Sequence, residues 1–187
     1  MTVPSAVIEN LTGTWTIDPA HSQFGFAVRH AMVATVRGSF RSFEGALRLN
    51  GSKPSASSAT VSINTDSIDT GNSDRDTHLR SPDFLNTETY PTITFTSTDI
   101  KPGDDPDTYV VTGELTIHGE TRAVEMVVEF QGAAVDSFGN VRVGFAAFTS
   151  ISRKDFGLTW NAPLETGGVL IGDKVKIDVD ISAIRTS

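Results

Sequence analysis

Apolar and polar side chains alternate with a period of two along most of this chain. One face of the first long stretch carries Phe24, Phe26 and Val28 and ends in His30. The same alternation returns in Ala59-Val61-Ile63, Ile93-Phe95, Val111-Gly113-Leu115-Ile117, Val124-Met126-Val128-Phe130, Val141-Val143-Phe145-Ala147 and Val175-Ile177-Val179-Ile181. Successive strand side chains point to opposite faces, so the pattern predicts strands with one apolar face and one wetter face. Strands are predicted at residues 14–17, 23–30, 36–40, 43–49, 59–64, 92–99, 109–118, 122–130, 141–151 and 174–183. Residues 36–40 and 43–49 read as one long strand bent near Arg41-Ser42. The fold class is therefore all-β, an eight-stranded antiparallel sheet closed on itself. A closed sheet of about eight strands encloses room for one elongated apolar ligand.

The alternation breaks over residues 65–90. Ser73-Asp74-Arg75-Asp76 resembles a capping box with Asp in place of Glu, and Ser81-Pro82 repeats the logic with proline at a first helical position. Two short helices are expected between about residues 72 and 88, closing one end of the barrel. Residues 1–13 read as a flexible leader and 14–187 as one domain, a usual size for a single all-β unit.

Composition narrows the function classes. The net charge of −8 argues against a general affinity for nucleic acid or anionic membranes, without excluding a local basic pocket. With no cysteine, disulfides, thiol catalysis and thiolate metal sites are absent. No run is long and apolar enough for a membrane span, and the first ten residues lack a basic and apolar export signal, so a cytoplasmic protein without stable membrane insertion is expected.

Catalytic signatures are thin. There is no G-x-S-x-G elbow, and Ser22 beside His21 is too common a pairing to count. The histidines, at 21, 30, 78 and 118, lack zinc-site spacing, and Gly167-Gly168 leads into Val169 with no phosphate-loop lysine. No metal, cofactor or catalytic set is expected. The competing reading is an enzyme acting on a small hydrophobic substrate in the barrel, with His30 or His78 as base. A third reading is an interaction module whose core is filled, since eleven phenylalanines could simply pack it.

If the interior is open, its expected wall is Phe24, Phe26, Val28 and Phe40 on the first strands, with Val61, Ile63 and Phe95 beside them. The later strands add Val111, Leu115, Ile117, Val128, Phe130, Phe145 and Ile177. A lipid with an apolar tail usually carries a polar head, and His30, Arg75, His78 and Arg153 are the candidates to meet it at the mouth. The bland alternative is that these arginines cap helices and tie the lid to the wall through Asp76 and Asp155.

The order of several short motifs resembles the YceI-like polyisoprenoid-binding family. They are Asp18-Pro19-Ala20-His21-Ser22, Phe26-x-Val28-x-His30, Gly38-x-Phe40, Phe43-x-Gly45, Arg75-Asp76-x-His78-Leu79, Tyr90-Pro91-x-Ile93-x-Phe95, Gly113-x-Leu115-Thr116-Ile117-x-Gly119 and Arg153-x-Asp155-Phe156-Gly157. Together they span residues 14–184, nearly the whole chain. The resemblance implies an extended lipocalin-like barrel with a helical insertion. It also implies a non-catalytic carrier whose pore holds a long isoprenoid lipid, a polyprenyl chain or an isoprenoid quinone tail. Homodimers are common in that family and many members are exported, which contrasts with the cytoplasmic expectation for this sequence.

Overall fold

The computed structural model describes residues 10–187. Residues 1–9 of the expected leader, and most of the segment on which the cytoplasmic expectation rests, lie outside it. Leu11, also assigned to the leader, is buried, and its carbonyl accepts a hydrogen bond from the Trp15 indole at 3.0 Å.

The strand segments are β1 Gly13–Ile17, β2 Gln23–His30, β3 Ala34–Phe40, β4 Phe43–Leu49, β5 Ser58–Asn64, β6 Ile68–Asp69, β7 Thr92–Pro102, β8 Thr108–Ile117, β9 Glu120–Val135, β10 Val141–Ser152 and β11 Ile171–Arg185. One α-helix, α1, covers Ser73–Arg80 among the described residues. Each pairing between these strands is antiparallel.

Eleven segments make an eight-stranded closed barrel because three of its staves are broken. β1 and β2 lie along the same edge of β11, interrupted by a 3-10 turn at Pro19–His21. β3 and β4 form the long bent strand expected around Arg41-Ser42. β5 and β6 run beside them, interrupted by a turn at Thr65–Ser67. The ring closes where Trp15 faces Arg185 on one side and Leu47 on the other. There Trp15, Val143 and Ala183 pack with almost no exposure and fill the seam.

The differences from the sequence reading have local causes. β9 continues to Val135 because the ladder to β10 survives a bulge: Gly144 faces Gly132 while Phe145 faces Phe130, so the alternation slips but the pairing does not. The helical insertion holds one helix rather than two. Its N-cap is Asn72, whose side chain accepts from the Arg75 amide, and Ser73 is the first helical residue. Asp76, expected to complete the capping box, instead accepts from the amide and hydroxyl of Thr70. The second helix does not form. After Ser81 the amides of Leu85 and Thr87 fold back onto the carbonyls of Leu79 and Arg80, and Asn86 takes a positive φ of 47°. Those bonds reverse the chain instead of propagating it.

The seam end is bracketed by Arg142 at the start of β10. Its guanidinium reaches Asp18 and Asp136 at 2.7 Å each, linking the β1–β2 break to the β9–β10 turn. Arg142, and then His21, hold the Asp18 carboxyl down at about 2, and Arg142 holds Asp136 well below the usual carboxylate range.

Asp18 thus has a folded pKa below its unfolded value of about 3.9. Its contribution is fully present above that value and is lost as pH falls through about 2. Asp18→Asn is expected to lower the Tm by on the order of 5 °C at pH 7, and the gap to the parent should close as pH approaches 2. Thermal melts at the two pH values check this, and a gap independent of pH would refute it.

Candidate functional site

The barrel encloses one long cavity of about 460 Å³. That volume falls inside the range of roughly 300–1,000 Å³ usual for small-molecule sites. Along β11 its lining runs from Ile171 to Ile181, which at about 3.3 Å per residue and a tilt near 40° is a length of about 25 Å. Every expected wall residue, from Phe24 and Phe26 on β2 to Ile177 on β11, lines it, and so do His30, Arg75, His78 and Arg153. Alternation found these positions because a closed sheet has only one inner face.

The phenylalanines do not bridge the axis. Their rings pair with neighbours along the wall: Phe24 with Phe43 at 4.6 Å, Phe130 with Phe145 at 5.6 Å, and Phe26 with Phe40 at 5.8 Å between centroids. Two inward glycines make this arrangement fit. A Cβ on Gly38 would strike the Phe26 ring, and one on Gly113 would strike the Phe95 ring. The outer atoms of each ring sit over a glycine of the adjacent strand, in space that any larger residue there would fill. The filled-core reading therefore holds only at the seam.

The two ends of the cavity differ in chemistry. One is lined by Pro54, of the 3-10 turn Pro54–Ala56, and by Asn50, Ser57, Ser58 and Tyr109. Burial, with Asp107 nearby, pushes the Tyr109 phenol above its ordinary value. The other end is the mouth, formed by the end of β2, by α1 and by the segment that follows β10. Arg75 and His78 lie one turn apart on α1 and so share a face. The His78 ring packs edge-on against Phe84 at 5.0 Å and Trp160 at 4.8 Å, and its Nε2 lies 2.9 Å from Asp83 Oδ2. No serine or threonine hydroxyl bonds that ring among the described residues, so the His–Asp pair has no nucleophile attached to it.

The arginines do not make the expected ties through Asp76 and Asp155. Arg75 donates from Nε and Nη2 to the hydroxyl and carbonyl of Thr70, and Asp76 holds the same threonine. Arg153 is only 4 % exposed, and its guanidinium is held by backbone carbonyls alone. It donates to Leu158 at 2.6 Å, to Gly172 and Trp160 at 2.9 Å, and to Ile171 at 3.4 Å. This pins the segment between β10 and β11 over the mouth. Burial pushes its pKa down, against a weaker pull from Asp173.

Sequence reasoning missed Trp160 and Leu170 and did not count Leu79 and Phe84, apolar neighbours of Arg75 and His78, among the lining residues; the four complete the mouth. They stand in segments without alternation, where only the density of apolar residues among turn residues could have marked them. Of the other histidines, His21 bonds Asp18 and His118 packs on Tyr90, both away from the cavity.

Comparison with known proteins agrees with this architecture. A model of the YceI-like domain matches residues 15–183. A UPF0312 protein of Pectobacterium atrosepticum is 41% identical over 139 residues, covering 74% of this chain and 71% of that protein. The crystal structure of BcnA from Burkholderia cenocepacia superposes with a TM-score of 0.78 at 25% identity, covering 89% of this chain and 98% of BcnA. A polyisoprenoid-binding domain from Saccharophagus degradans, implicated in plant cell wall breakdown, shares the fold with a TM-score of 0.67 at 16% identity, covering 91% and 98%. With the whole barrel matched in sequence and in shape, this chain belongs to the YceI-like family.

Proposed function

We propose that the protein binds a long apolar lipid of isoprenoid type lengthwise in its barrel, as a carrier rather than a catalyst. A polyprenyl chain or the tail of an isoprenoid quinone fits the site. The observation that carries this reading is the cavity itself, about 460 Å³, whose walls are almost wholly apolar along its length, Thr149 apart, with the charged residues gathered toward one end. The Saccharophagus degradans domain, described as polyisoprenoid-binding, supports the same reading through its shared fold.

The energetics are adequate. Each buried CH₂ contributes about 0.8 kcal/mol, so a five-carbon unit contributes roughly 3–4 kcal/mol before ordering costs. Those costs are large, yet three or four buried units leave room for binding at about micromolar affinity or better. The tail occupies the wall from Phe24 to Ile177, and the head lies near His30, Arg75 and His78, with Arg153 supporting the mouth. Native mass spectrometry of freshly purified protein, or solvent extraction followed by lipid analysis, tests the reading. Co-purified isoprenoid, or uptake of a polyprenyl or quinone probe, is the expected result; finding no lipid and no uptake would count decisively against it.

Two further outcomes are expected. Gly113→Val puts a side chain where the Phe95 ring lies, forcing the ring into the pore. It should lower affinity for a long-chain probe at least about tenfold in protein that still melts cooperatively, and unchanged uptake would show that the tail lies elsewhere. Of the two tryptophans, Trp15 is fully buried at the seam and Trp160 lines the mouth. Quinone titration should therefore quench fluorescence mainly through Trp160, and Trp160→Phe should remove most of the signal change.

A further inference from the structure

The charge of the cavity lining runs opposite to that of the molecule. The chain carries 23 acidic residues and a net charge of −8. Among the described residues, no aspartate or glutamate lines the cavity. Its charged residues are Arg29, Arg75 and Arg153, joined at the same end by His30 and His78, although Arg29 turns its guanidinium outward to the Thr35 hydroxyl and the Met32 carbonyl. The guanidinium is protonated throughout the physiological range, so this asymmetry does not depend on histidine titration.

The nearby carboxylates are turned to other duties. Asp76 is spent on Thr70, Asp83 on His78, and Asp173 on the Ser152 hydroxyl and the Lys154 amide. Among the described residues none of the three arginines makes an ion pair with a carboxylate, Asp173 exerting only a weaker pull on Arg153. Arg153 has its donors largely occupied by carbonyls, so it supplies charge rather than a free hydrogen bond. Arg75 differs. Its Nε and Nη2 are engaged on Thr70, and its Nη1 has no hydrogen-bond partner among the described residues. These groups form one contiguous surface: Arg75 shares a helix face with His78, His78 packs on Trp160, and the Trp160 carbonyl accepts from Arg153.

Cations at the end of a low-dielectric channel act on its contents with little screening. A mouth with fixed cations and no carboxylate in its lining favours acceptor oxygens that carry negative charge and opposes an ammonium. Building on the lipid-binding reading above, we propose that the ligand is an acidic amphiphile, its isoprenoid tail ending in a carboxylate or phosphate that Arg75 receives. Arg153 adds the field that selects it and also holds the mouth in shape.

The test compares probes sharing one geranylgeranyl tail and differing in head: monophosphate, carboxylic acid, alcohol, primary amine and headless hydrocarbon. Competition against a fluorescent polyene at low salt gives each affinity. The phosphate and the acid should bind at least about tenfold tighter than the alcohol, and the amine more weakly than the alcohol. Raising salt to 0.5 M should shrink the anionic advantage more than it changes the hydrocarbon. Arg75→Gln should cost the phosphate and the acid about tenfold and the alcohol less than threefold, whereas Arg75→Lys, which keeps the charge, should retain part of the preference. A larger preference for phosphate than for carboxylate, or the reverse, identifies which anion the mouth fits. Equal binding of anion, alcohol and amine, or an anionic preference untouched by Arg75→Gln, overturns this inference while leaving the lipid-binding pore intact. Binding of none of the probes, the hydrocarbon included, overturns both.

Discussion

Closing an antiparallel sheet on itself with eight staves fixes the width of its interior, and the rest of the molecule follows from that constraint. Once the backbone ladder is complete, the inner side chains cannot draw the walls together to remove empty space. They can only fill it or line it. At the seam Trp15, Val143 and Ala183 fill it. Elsewhere Gly38 and Gly113 give up their own volume so that Phe26 and Phe95 lie against the wall. An interior with that much unfilled apolar surface forfeits dispersion contacts that a packed core would make. An apolar chain of the kind proposed above would restore them.

The two ends of β10 show how polar groups are handled beside such an interior. Arg142, at its start, is bracketed by Asp18 and Asp136 on the outer side of the seam. Arg153, just beyond its end, is buried against the cavity and held by carbonyls instead. A carboxylate brought to that position would have to be desolvated together with the arginine, at a cost that its attraction need not recover. Backbone carbonyls of the covering segment are present in any case and need donors of their own. Using them fixes the segment and leaves Arg153 without an ion pair, with only the weaker pull of Asp173 on its charge.

Much of this was legible in the sequence because a strand with one buried face writes its orientation into every second residue. Phe24, Phe26 and Val28, or Val111, Leu115 and Ile117, could be assigned to the cavity without coordinates for that reason. The long bent strand through Arg41-Ser42 was legible too. What could not be read depends on contacts between distant segments. The choice of Asn72 over Ser73 as cap turns on Asp76 being taken by Thr70. The failure of a second helix turns on amides of residues 85 and 87 finding carbonyls behind them. Trp160 reaches the mouth only because Arg153 gathers the carbonyls around it, a relation with no periodicity to betray it.

The seam has one more consequence, for how the molecule comes to exist. Trp15 pairs with Arg185 and Ile17 with Ala183, so the contacts that close the barrel join positions about 170 residues apart. Contacts of such separation are among the slowest to form, because the loop between them must be ordered before they give anything back. Until they form, β1 and β11 each present an unpaired edge, and an open edge will accept a strand from another chain as readily as its own. A finished barrel has no edge along this seam to offer. The same junction that protects the folded molecule is where an assembling one is most exposed to a neighbour.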